Sequence, residues 1–183
     1  MTWIRVACFV LCASLFGAGC TDLASPVSTT AVAGTAVQGL QAGTKTPQTP
    51  SNNDVLVAKV LELVNSERTQ RGLDPLTISP ALTKMAEDYA AEMIKGNFFD
   101  HVDPFTKEGP GQRALDHGYI FLAIGENLAG GQSSPEQAMA EWMASTEGHR
   151  ENILASQWKE IGIGVRTGGQ FGVYWVQEFG NPP

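Results

Sequence analysis

Of three cysteines in the chain, Cys8 and Cys12 lie in an apolar leader and only Cys20 follows it. A domain with no second thiol cannot be held by internal disulfides, so an exported chain of this kind must rely on its core. Positive charge is also scarce. Twelve Lys and Arg stand against 19 Asp and Glu, a formal net charge of −7. No basic run exists, so the chain is not built to neutralise phosphates, which argues against nucleic acid as a partner. Compact catalytic signatures are missing as well. There is no HExxH, no GxSxG, no phosphate-cradling loop and no cysteine nucleophile in the domain.

The leader is informative. Arg5 precedes an almost wholly apolar run over residues 6–16, and the small residues Gly17, Ala18 and Gly19 precede Cys20. Residues 1–19 therefore read as a secretory signal, too short and wrongly flanked for a stable membrane span. A cysteine directly after small residues resembles a bacterial lipobox. That resemblance implies cleavage before Cys20, lipidation of Cys20, and contact with the membrane through that lipid only. Gly17 stands where such signals usually carry leucine; without lipidation the chain would be secreted. Residues 20–53 are rich in Ser, Thr, Ala, Gly and Pro, with Asp22 and Lys45 as their charges and no aromatic residue. Such a stretch buries too little apolar surface to offset its ordering entropy and is expected to be a flexible linker. Residues 54–183 have the size of one ordinary domain.

Within that domain, Val57, Val60, Leu61 and Val64 recur at helical spacing. They predict a helix from a cap at Asn53 or Asp54 to about Arg71, stopped by Gly72. Ser79 and Pro80 open a second helix, whose inner face is Leu82, Met85, Ala86, Tyr89 and Met93. Residues 112–117 predict a short third helix, residues 119–122 a strand, and "GENLAGGQ" a loop. Ser134 and Gln137 form a capping box for a helix carrying Trp142. A hairpin follows, over residues 160–166 and 171–179 around Gly168 and Gly169. Helices early and strands late predict an α+β layered domain rather than a parallel βαβ array.

The polar candidates are His101, Glu126, Glu147 and His149. Each sits beside turn residues and large apolar groups, where sites usually form. Two imidazoles and one or two carboxylates could hold a divalent ion. Zinc accepts such a donor set, whereas calcium and magnesium prefer more oxygen. Singly, a histidine beside aromatics is more often a hydrogen-bonded structural residue. His117 reads as a favourable cation at a helix C-terminus, and Trp142 and Trp175 as core.

Five segments in order cover essentially the whole domain: "LVNSERTQRGLDPL" (63–76), "FFDH" (98–101), "GENLA" (125–129), "WMASTEGHRENIL" (142–154) and "EIGIGV…YWVQEFG" (160–180). Together they resemble the CAP superfamily of cysteine-rich secretory, antigen 5 and pathogenesis-related proteins, in its bacterial, disulfide-free, SCP-like extracellular branch. The resemblance implies a three-layer α-β-α sandwich with a central antiparallel sheet and a cavity on one face. It implies a cavity tetrad in which His101, Glu126 and His149 match three positions. The fourth falls on Ser145, with Glu147 as its alternative. His101 and His149 would be the metal donors, for zinc before calcium or magnesium. Asn65, Arg68, Asn127, Arg150 and Asn152 would be supports. The expected function is binding of a divalent ion and of a cell-envelope or extracellular ligand. The alternatives are a metal-dependent peptide or ester hydrolase, with Glu126 as general base, and lipid or sterol binding.

Overall fold

A computed structural model describes residues 36–39 and 42–183. The expected signal, Cys20 and residues 21–35 of the expected linker lie outside them. Helix α1 spans Asn53–Thr69 and buries Leu56, Val60, Val64 and Arg68, one residue per turn along one face. Helix α2, Pro80–Gly96, buries Leu82, Met85, Ala86, Tyr89, Ala90, Met93 and Ile94. Pro80 sits where a missing N–H costs nothing, but Ser79 makes no side-chain cap bond. Asn97 ends α2 in the left-handed conformation. Helix α3 is Pro110–Asp116, α4 is Pro135–Ala144 and α5 is the short His149–Ile153. The Ser134 hydroxyl accepts from the Gln137 N–H as expected; the Gln137 side chain instead accepts from the Ser133 N–H and hydroxyl.

Strands β1 (Thr77–Ile78), β2 (Ala123–Gly130), β3 (Glu160–Gly168) and β4 (Gly172–Asn181) form one sheet in the order β1-β3-β4-β2. The three long strands are antiparallel, and the two-residue β1 pairs parallel with β3. Helices α2 and α3 cover one face; α1, α4 and α5 cover the other. The fold is the expected α-β-α sandwich. Val173, Trp175 and Phe179 pack with α1 and α4, while Tyr174 and Val176 pack with α2. This alternation follows from the two-residue period of a strand covered on both faces.

Two glycines set the closeness of α2 to the sheet. A Cβ at Gly162 would lie 2.0 Å from the Leu82 carbonyl carbon, and one at Gly164 2.4 Å from that of Ala86. The alternating glycines of "EIGIGV" thus let a helix backbone rest on β3.

The sequence expectation fails at β2. Residues 119–122 are not a strand, and "GENLAG" is strand rather than loop. Glycine and asparagine weaken local strand preference, but residues 123–130 pair along β4 in continuous register. The described part of the expected linker also lies on the domain. Gly43 N–H donates to the Gly169 carbonyl, Gly169 N–H to that of Thr44, and Gln48 bridges Thr167. Val37 is buried in the α1–α4 core, and its N–H donates to the Ser133 carbonyl.

Candidate functional site

Glu126 points from β2 toward the α2 face, with its side chain 1 % exposed. One oxygen lies 2.7 Å from His101 Nδ1; the other accepts from Arg113 of α3 at 2.6 Å. Arg113 lies 3.3 Å over the centre of the Tyr89 ring and also donates to the His101 and Glu108 carbonyls. The Tyr89 hydroxyl donates to the Asp100 carbonyl at 2.5 Å, pinning the loop that carries His101. Opposite Glu126 in the strand register stands Glu178 of β4, fully buried, with no hydrogen bond to either carboxyl oxygen.

These charges set one another's protonation. Burial alone would raise the Glu126 carboxyl, but Arg113 and His101 hold it below the usual carboxylate range. Burial and then the negative Glu126 push Glu178 well above that range. His101 is desolvated, which lowers its pKa; the bond to Glu126 and the charge of Glu126 outweigh this and raise it.

On the other side, Asn127 points toward α5. It donates to the His149 carbonyl and to Gln177 Oε1, both at 3.1 Å. Asn152 donates to the Glu126 carbonyl at 3.2 Å and to Asn127 Oδ1 at 3.1 Å. Trp142 donates to the Leu128 carbonyl and Trp158 to that of Asn152. The outer edge of β2 is thereby closed by side chains, which keeps it from pairing with another strand. His149 Nδ1 lies 2.9 Å from the Ser145 hydroxyl. Burial, and next the charge of His101, push the His149 pKa down to about 4. No hydrogen bond joins His149 to His101 or Glu126.

The other expected residues fall as follows. Ser145 touches His149, while Glu147 is exposed and its N–H donates to the Ser145 hydroxyl. Asn65 and Arg68 do not meet. Asn65 brackets Leu76 through both its N–H and its carbonyl; Arg68 donates to the carbonyls of Asp74, Ile153 and Ala155, bracing the end of α5. Asn127 and Asn152 bond to each other and reach the His149 and Glu126 carbonyls. Arg150 is exposed, with no side-chain bond to His149. His117 follows α3, with its ring nitrogens against the Arg113 carbonyl and Asp88. Sequence reasoning missed Arg113 and Glu178. For Glu178 a signal existed: a carboxyl in "YWVQEFG", an otherwise apolar strand of a kind buried on both faces. Arg113 carried none.

A cavity of about 900 Å³ opens beside His149, with Phe99, Leu128, Trp142 and Phe171 in its wall. His101 and Glu126 do not line it. His101 Nε2 and His149 Nε2 are both buried and without a hydrogen-bond partner. Among the described residues, no three or more His, Cys, Asp or Glu side chains are grouped to hold a metal ion.

The family model for the Cysteine-rich secretory protein family, CAP, matches residues 61–179. The chain belongs to the CAP family. Its CAP domain is 39% identical over 134 residues to the protein YkwD of Bacillus subtilis (strain 168), covering 73% of this chain and 50% of that protein. It thus spans about half the length of this relative. Among solved structures, it resembles an extracellular protein containing a SCP domain from Bacillus anthracis. The identity is 28% and the TM-score 0.61, over 70% of this chain and 41% of that one. It also resembles an outer surface protein of Borrelia burgdorferi, with 23% identity and a TM-score of 0.62, over 74% and 96% of the two chains. That second likeness is one of fold.

Proposed function

We propose that this CAP domain is an exported binding module, anchored through a lipid on Cys20, which holds a divalent ion between His101 and His149 and a cell-envelope or extracellular ligand in the adjoining cavity. The observation that carries the metal reading is the pair of orphaned Nε2 atoms. Each imidazole has its Nδ1 engaged, one on a carboxylate and one on a hydroxyl. Partners of that kind orient metal-ligating histidines. Two nitrogens suit zinc better than calcium or magnesium, with the remaining positions left to water or ligand. Glu126 is the orienting partner of His101. Both its oxygens are already engaged, which weighs against its use as a general base and favours binding over hydrolysis. Export is supported by the leader and by the likeness to the extracellular SCP-domain protein of Bacillus anthracis.

Zinc titration of the exported chain tests this. Saturable binding is expected in wild type and none in folded His101→Ala/His149→Ala. Affinity should fall as pH drops through the His101 pKa, which lies above 6.5, because a bound proton competes with the metal. His149 imposes no such penalty until about pH 4. Unchanged affinity at pH 5 removes His101 from the ligand set.

A further inference from the structure

The cavity beside His149 has a one-sided chemistry. Every charged side chain in its wall is a carboxylate, Glu141 and Glu147, and no lysine or arginine lines it. Helix α4 ends there, at Ala144 and Ser145, so its partial negative charge points the same way. His149 is 5 % exposed, lines the cavity and leaves Nε2 without a partner; the Gln132 Oε1 acceptor in the same wall is also buried and unpartnered. The rest of the wall combines the neutral polar side chains of Gln137, Ser145 and Thr146 with apolar groups, among them Phe99 and Phe171, packed edge to face at 5.1 Å.

We propose that this cavity takes a basic peptide, with a lysine or arginine side chain toward Glu141 and Glu147 and its apolar neighbours against the phenylalanine wall. An anionic ligand would meet two carboxylates, a helix C-terminus and no lysine or arginine, and an unpaired charge taken out of water is costly. The volume, about 900 Å³, is large for a lone ion or small amine and falls at the upper end of ordinary ligand pockets. Gln132, whose side-chain N–H donates to Glu141, keeps its Oε1 as an acceptor for peptide N–H groups. The proposal deepens the binding-module reading and rests on its cavity, not on the metal.

The test is calorimetric titration of the exported chain with the blocked peptide Ala-Leu-Lys-Leu-Ala. Two analogues carry acetyl-lysine or glutamate at the centre. The lysine peptide should bind saturably and more weakly as salt rises. Both analogues should bind about tenfold or more weakly, the size expected when one close charge pair is lost. Glu141→Gln/Glu147→Gln, both at exposed positions, should erase the preference for lysine while leaving the unfolding midpoint in place. Equal binding of all three peptides, preference for glutamate, or no binding by the folded chain overturns the proposal. Zinc is titrated in parallel. Zinc binding without peptide binding sinks this inference and leaves the metal site standing; peptide binding without zinc does the reverse.

Discussion

On the α2 side of β2, Glu126 meets Arg113, His101 and Glu178. On the α5 side, one residue along, Asn127 meets Asn152, Gln177 and the His149 carbonyl. Both clusters are buried and both hold a histidine's neighbourhood in place, but they use different means. The amide cluster is neutral, and its bonds persist whatever the pH. The ionic cluster holds two carboxyls, one guanidinium and one imidazole, and its energy depends on where the protons sit. The amide side therefore works as a staple, tying α5 to the sheet edge. The ionic side sets which charge His101 carries.

Breaking the ionic side should cost most. Arg113→Leu leaves Glu126 buried without its countercharge, and the expected loss is about 3–5 kcal/mol in urea unfolding at pH 7. A loss under roughly 1 kcal/mol would mean Glu126 simply takes up a proton, and the contrast with the amide side would collapse.

The next effect is one of pH. The folded His149 pKa is about 4, against 6.5 for an ordinary histidine. Between those values the unfolded chain binds a proton that the folded chain refuses, so stability falls as pH drops from 6.5 to 4. The size is on the order of 3 kcal/mol. Comparing His149→Gln with wild type across that range isolates it; parallel curves would show that His149 is not buried as a neutral ring.

Asn152→Ala should cost about 1–3 kcal/mol by leaving the Glu126 carbonyl and Asn127 Oδ1 without their donor. That cost should be the same at pH 5 and pH 8. A pH-dependent cost would tie the two clusters together. Glu178→Gln is subtler. The folded Glu178 pKa is raised above 4.5, so its contribution is complete below that pH and is lost as pH rises through the folded value. The variant should be more resistant to alkaline destabilisation than wild type, and thermal melts from pH 5 to 9 would show the difference. Arg150→Ala, at an exposed position, should stay within about 0.5 kcal/mol of wild type.

How legible was all this? The helices were readable because their signals are local. Apolar residues one turn apart mark the buried faces of α1 and α2, and Pro80 and Ser134 mark helix starts. The family segments carried His101, Glu126 and His149, since such residues travel with their flanking motifs. β2 was misread as loop because its glycines and asparagine say nothing locally. Its strand conformation comes from β4 alongside it. Asn65 and Arg68 share a helix face, and spacing let them meet; instead each reaches a separate set of carbonyls in other segments.

By itself, then, the sequence determined the absence of internal disulfides, the acidic surface, the two large helix faces and the family. Each is a property of composition, local periodicity or short motifs. Only the tertiary structure decided that Arg113 neutralises Glu126, that Glu178 is buried opposite it, that Ser145 rather than Glu147 touches His149, and that part of the expected linker lies on the domain. Those are contacts between residues distant in the chain. Burial and low dielectric give them their energy, and neither exists until the layers have packed.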